Sequence, residues 1–358
     1  MISRKTKYVQ LLVVFSPIFF LLSSCIEKLD FFDEDQEVQL VIYGLLTDNF
    51  ERQIVSVSKT SAVGLAPMGV RDARVSLLTA SGDKYRYNST GSGEYILEGF
   101  AAIEGESYAL EVILEDNVYI SKYEKMPELL ADDNISFEFN KEPFRTETPE
   151  SVFTVISETT LPSSSDPIYL RWTVEETYFW PLLHFPGTGF PPPPPPPCFI
   201  SDVIEPDRIN LFDGSGSSSR IGNFVLGKRL VDNSFLYPFF VSVRQLSINR
   251  EAYEYWEKIK IVINNQGSLF DIPPAPVIGN ISNVEDQNEI VLGFFEVAKT
   301  KVTRVYTTRA DVPFSLVDPC QYFPSIPENS YPSECKSCDA RAQGRRWTNT
   351  PPDWWKFD

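Results

Sequence analysis

Four of the five cysteines, the one histidine and an excess of carboxylates are the side chains beyond the N-terminal segment that could do chemistry. Cys198, Cys320, Cys335 and Cys338 are even in number, which in an oxidising compartment reads as two disulfides with three pairings open. Cys335-Lys336-Ser337-Cys338 has the spacing of a redox pair, but that chemistry needs a thioredoxin-like strand-to-helix context. A four-thiolate zinc site normally draws on two close pairs, and there is one. Structural disulfides are therefore expected and no metal site is.

The single histidine, His184, sits among Pro181, Leu182, Leu183, Phe185 and Pro186, with no nucleophile or orienting acid in view. Glu175 and Glu176 lie on one strand-like run and must point to opposite faces, so they are not a paired acid and base. Asp213-Gly214-Ser215-Gly216-Ser217 is a fragment of a calcium loop without its closing carboxylate, and reads as a turn. No HExxH, GxSxG or phosphate-binding loop occurs. No catalytic residue and no cofactor is nominated. Composition leaves a two-carboxylate hydrolase open as an alternative. The aromatic residues carry the remaining signal. Trp180 and the loop that follows it, with Phe185, Phe190 and Phe199, are the expected partner- or ligand-facing feature.

The elements that position these residues begin with a processing segment. Arg4, Lys5 and Lys7 precede an apolar run from Val9 to Leu22, which ends in Leu22-Ser23-Ser24-Cys25. This resembles a bacterial lipobox, and the resemblance implies cleavage after residue 24 and diacylglyceryl and palmitate groups on Cys25. The run of about 14 residues is shorter than the ~20 a spanning helix needs. Several acyl chains together give stable anchoring. Residues 25–36 read as an acidic tether, with Glu27, Asp30, Asp33, Glu34 and Asp35. With Ile26 rather than Asp after the cysteine, the outer membrane is favoured, and the acidic stretch resembles a surface-export signal.

Without the three leader cations, 29 basic side chains face 49 acidic ones, a net charge of −20. Such a body repels phosphate backbones, so nucleic acid is not an expected partner.

The rest reads as mostly β. Runs at 74–79, 84–88, 94–98, 106–114 and 117–122 alternate between glycine-bearing turns. An N-terminal domain over 37–150 is expected as a β-sandwich similar to transthyretin or carboxypeptidase-regulatory modules. A second β-rich domain over 151–358 is expected to hold a long strand from Ile168 to Trp180 and strands over Phe235–Ile248, Glu289–Phe295 and Val302–Thr307. It also holds one packed helix over 249–265, capped by Ser247 or Asn249, and a disulfide-tied tail. Residues 124–166 read as polar and turn-rich, and Leu211–Ser219 as a turn. Pro191–Pro197 is a run of seven prolines, a rigid excursion of roughly 22 Å. It reads as a plain surface excursion between two strands, closed by Cys198, with a ligand for an aromatic-lined groove on a partner as the alternative.

Several stretches together resemble one family. They are Cys25 with its acidic follow-on, Val41-Ile42-Tyr43-Gly44, Ala73–Tyr95, Tyr253-Glu254-Tyr255-Trp256, Phe270–Ile281, Gly293-Phe294-Phe295, Cys335–Cys338, Gly344 and Pro352-Asp353-Trp354-Trp355. The chain resembles the DUF4249 family of Bacteroidota lipoproteins, with Trp354 where the family has Phe. The resemblance implies an accessory lipoprotein beside a TonB-dependent (SusC-like) outer-membrane receptor, serving nutrient capture or import. It carries over no catalytic residue. A structural or adhesive surface lipoprotein is the other reading.

Overall fold

A computed structural model describes residues 38–50, 52–61, 65–164, 166–185, 193–216, 219–264 and 276–356. The leader, the tether and Cys25 lie outside the described residues, as do Phe190, Pro191, Pro192, Gly267 and residues 270–275. The chain divides into two compact units, Met1–Val38 with Ser61–Ala66, and Gln39–Thr60 with Pro67–Asp358. Within the first, the Ser61 hydroxyl donates to the Ala66 carbonyl at 2.7 Å. All that follows concerns the second.

That unit is mostly β, with several sheets and one packed helix. Its strands include β1 (Leu40–Thr47), β2 (Gln53–Lys59), β3 (Arg74–Thr79), β4 (Glu94–Leu97), β5 (Ser107–Leu114), β6 (Asn117–Ser121), β7 (Asp132–Pro143), β8 (Pro149–Thr160), β9 (Tyr169–Trp180), β10 (Cys198–Val203), β11 (Arg220–Leu230), β12 (Phe239–Ile248), β13 (Ile281–Asn283), β14 (Phe295–Thr307) and β15 (Arg346–Thr348). The helices are α1 (Arg250–Asn264) and the short α2 (Cys338–Ala342). Among the described residues no helix is long and apolar enough to cross a membrane.

One large sheet runs β15-β10-β9-β12-β14-β1-β2-β4. A second runs β13-β6-β5-β3, and a third is β7-β8-β11. Period-two alternation explains how they stack. In β1, Ile42 and Leu46 are buried while Tyr43 and Leu45 face the other way. Ile42, Leu46, Val55 and Val57 form a core with Val75, Leu77, Leu110 and Val112 of the second sheet. On the same face of the large sheet, Leu170, Trp172, Val174 and Val243 form a core with Phe153 and Val155 of the third. Helix α1 lies on the opposite face, over Leu246, Ile248 and Ala298.

The runs at 74–79 and 117–122, the long strand ending at Trp180 and the helix all form within a residue or two of their expected limits. Three stretches differ. The polar stretch 124–166 holds a hairpin of two twelve-residue strands, β7 and β8, in unbroken register from Asp132↔Thr160 to Pro143↔Pro149. The outward positions of β7, Asn134, Ser136, Glu138 and Asn140, are polar, which hides the alternation of Ile135, Phe137 and Phe139 that faces the core. Residues 210–213 form a short strand on β9 where a turn over Leu211–Ser219 was expected, and β11 follows in a stretch for which no element was expected.

The stretch 37–150 does not complete its own sheets. β1 pairs in parallel with β14, Gly44 opposite Phe295, and β6 pairs with β13, Ser121 opposite Ile281.

Candidate functional site

The face of the large sheet that carries α1 buries an ion pair. Arg171 projects from β9 and Glu296 from β14 on this face, and α1 closes over both. The helix buries Ala252 and Tyr255 and part-buries Trp256 and Ile259, the spacing of one helical stripe. The Glu296 carboxylate has no solvent exposure. Arg171 donates to it through Nε at 3.3 Å and Nη2 at 2.8 Å. Trp256 Nε1 donates to Oε2 at 3.1 Å, and the Tyr43 hydroxyl at 3.4 Å. The Arg171 guanidinium also stacks 4.4 Å from the Trp256 ring centroid.

Burial opposes the Arg171 charge, but Glu296 overcomes it and holds the guanidinium pKa up. Burial, with the neighbouring Glu296 charge, pushes the Tyr43 phenol well above its usual range. An acid enclosed beneath a helix with four donors of the fold upon it is out of a substrate's reach. What it can do is fix the helix to the sheet.

Beside Tyr43 the same face opens into a groove of about 630 Å³. Its walls include Tyr43, Leu45, Thr47, Arg52, Ile54 and Arg244.

A second polar hub joins three distant segments. Asn280 presents its side-chain amide as if it were a peptide: Nδ2 donates to the Phe295 carbonyl at 2.9 Å, and Oδ1 accepts from the Phe295 N–H at 2.9 Å. Nδ2 also donates to buried Glu124 at 3.0 Å. The other Glu124 oxygen accepts from Asn249 at 3.0 Å. Asn249 thus directs its side-chain NH2 to Glu124 and to the Lys125 carbonyl, while its backbone carbonyl receives the Tyr253 N–H of α1. The flanking glycines are obligatory. A Cβ on Gly279 would sit 1.6 Å from the Gly293 carbonyl oxygen, and one on Gly293, whose φ is +95°, would sit 2.0 Å from that of Ile42.

The two adjacent glutamates of β9 do face opposite ways. Glu175 pairs at the surface with Arg346, whereas Glu176 is buried against Arg229 Nε at 2.7 Å. Arg229 also reaches Asp232 at 3.1 Å. Burial works against its charge, and Glu176 and Asp232 together hold its pKa up.

The cysteines form two disulfides, Cys198–Cys338 and Cys320–Cys335, so the CxxC pair is split between them. Cys320–Cys335 closes a loop within the tail, and Cys198–Cys338 ties the tail to the start of β10. This corrects the expectation for Trp180. Its side chain is completely buried, its Nε1 donates to the Glu334 carbonyl at 2.9 Å, and Arg341 stacks 4.0 Å above its ring. Phe199 is buried as well, 5.0 Å from Trp355. Phe185 is half-buried, edge-on to Tyr331 and Tyr322. Phe190 lies outside the described residues. His184 is exposed. Asp213 accepts from the Ser215 N–H at 2.8 Å in a turn, and among the described residues no cluster of three acidic, histidine or cysteine ligands could hold a metal.

Exposed apolar side chains are spread over the described residues, Phe50, Ile103 and Ile278 among them, and the tail carries some of its own. Val317, Tyr322, Phe323 and Ile326 are exposed, Val317 to 76 %, on and beside the loop closed by Cys320–Cys335. Sequence reasoning passed over these four, although a Pro-rich stretch dense in large apolar residues was there to be read.

The fold is thus that of a multi-sheet β protein whose buried charges serve its architecture. The chain belongs to the DUF4249 family, described as a domain of unknown function, whose model matches residues 27–304. The match includes both polar hubs and stops before the disulfide-tied tail. No curated protein matches the chain.

Proposed function

We propose that this protein is a lipid-anchored outer-membrane docking protein of a Bacteroidota cell. It is held through Cys25 with its body at the cell surface, and acts as the accessory subunit of a TonB-dependent transporter in nutrient capture or import. One observation supports a docking role above chemistry. The buried carboxylates Glu124, Glu176 and Glu296 are each bound to donors within the fold, while four large apolar side chains are held in water beside a disulfide-closed loop. Apolar side chains so exposed are surface that a protein partner can cover.

The test is recovery of the full chain through a C-terminal tag after solubilising native membranes in mild detergent. A TonB-dependent transporter in near-equal amount supports the reading. Recovery of the lipoprotein alone, with the transporter present in the same extract, overturns it.

A further inference from the structure

The connection between β9 and β10 is longer than its closure requires. Trp180 and Cys198 are partners at the last rung of the antiparallel ladder. About two to five residues join such partners, yet 17 intervene, residues 181–197. The fold uses the first of them. The Leu183 N–H donates to the Cys335 carbonyl at 2.7 Å, and Phe185 lies 5.6 Å from the Tyr331 ring. Of Pro193–Pro197 it uses one carbonyl, that of Pro197. Pro193, Pro194, Pro196 and Pro197 are exposed and Pro195 is half-buried.

The far end of this run is fixed. The Pro197 carbonyl accepts from Asn349 Nδ2 at 2.7 Å, and the next residue is bonded to Cys338. Each proline holds its own φ near −65° and bars its predecessor from the helical region. Polyproline II is the conformation left, at ~3.1 Å per residue or about 15 Å for five. Such a ridge has no N–H groups, so it cannot extend a sheet edge. A spacer is needed where ends lie apart, and here the ends are neighbours. What remains is a stiff, exposed row of rings and carbonyls whose ordering entropy is already lost, the surface that grooves lined with aromatic rings bind.

We infer that Pro193–Pro197 is a recognition ridge for a partner-protein groove lined by Trp or Tyr rings. On the docking role proposed above, on which this rests, that groove belongs to the transporter.

The experiment repeats the detergent recovery with wild type and with a variant carrying P193S, P194S, P195S, P196S and P197S. Mass spectrometry checks that both disulfides are formed. The expected result is at least tenfold less transporter with the variant, and release of transporter from wild type by excess acetyl-pentaproline amide. Equal recovery with a disulfide-intact variant overturns the ridge and leaves the docking role standing. If wild type recovers no transporter, the docking role itself fails. Should the variant not form its disulfides, the peptide competition decides alone: no release at saturating peptide overturns the ridge.

Discussion

Arg171 and Glu296 meet at 2.8 Å beneath Trp256, a charged pair sealed between a sheet and its helix. Removing one charge strands the other in a medium that cannot solvate it. Glu296→Gln is therefore expected to cost about 3–5 kcal/mol of folding free energy. R171M/E296Q leaves no charge and keeps an acceptor for Trp256, so it should lose less than E296Q alone. Urea unfolding of the three proteins measures both effects. A double variant less stable than E296Q would sink the account.

Glu124 predicts an acid response of unusual sign. Burial raises its pKa, with the Asn249 and Asn280 amides pulling it back. A carboxyl whose folded pKa is raised binds its proton more readily when native. Its contribution to stability therefore grows as pH falls through the folded pKa and is complete below the unfolded value of about 4.3. Glu124→Gln cannot titrate. The stability of wild type relative to E124Q should rise from neutral pH to about pH 4, read as urea midpoints at several pH values. A constant gap refutes it.

Asn280→Ala removes both amide contacts to Phe295 and one donor to Glu124. Leaving buried groups unpaired costs about 1–3 kcal/mol each, so a loss on the order of 2–4 kcal/mol is expected. N280D should be worse, since it sets a second carboxylate against Glu124. A loss in N280A no larger than that of an exposed-site control, such as N140A, would count against the clamp.

The two disulfides should differ in weight. Cys198–Cys338 closes 140 residues and Cys320–Cys335 closes 15, which in the chain-entropy view is about 5 against about 3 kcal/mol. C198S/C338S should also open the cover over Trp180. Acrylamide quenching of tryptophan emission should rise more in that variant than in C320S/C335S. The reverse order would contradict the arrangement of the tail.

How much of this was legible in the sequence depends on where each signal lives. Alternation along Ile168–Trp180 and the stripe Ala252, Tyr255, Trp256 are local patterns, and both elements formed where expected. The β7–β8 hairpin escaped because polar outward positions on β7, Asn134, Ser136, Glu138 and Asn140, dilute its apolar alternation. Trp180 was misplaced because an aromatic residue before a proline-rich loop looks exposed until a tail more than 150 residues away folds over it. The Glu296 hub escaped for the same reason: Tyr43, Arg171, Trp256 and Glu296 meet only in space. Gly279-Asn280 and Gly293-Phe294-Phe295 stood out as a motif, but what they do, one amide imitating a peptide at a glycine-to-glycine crossing, needs coordinates.

The parallel pairing of β1 with β14 also sets an order of events. Gly44 and Phe295 are neighbours in the sheet and about 250 residues apart in the chain. Closing so long a loop precedes any reward from the contact, so a fold of this contact order assembles slowly. A chain made or exported from its N-terminus must carry one edge of β1 unsatisfied until its last third arrives. During that interval the edge is open to any other strand, so keeping the waiting chain solitary is a task for whatever escorts it.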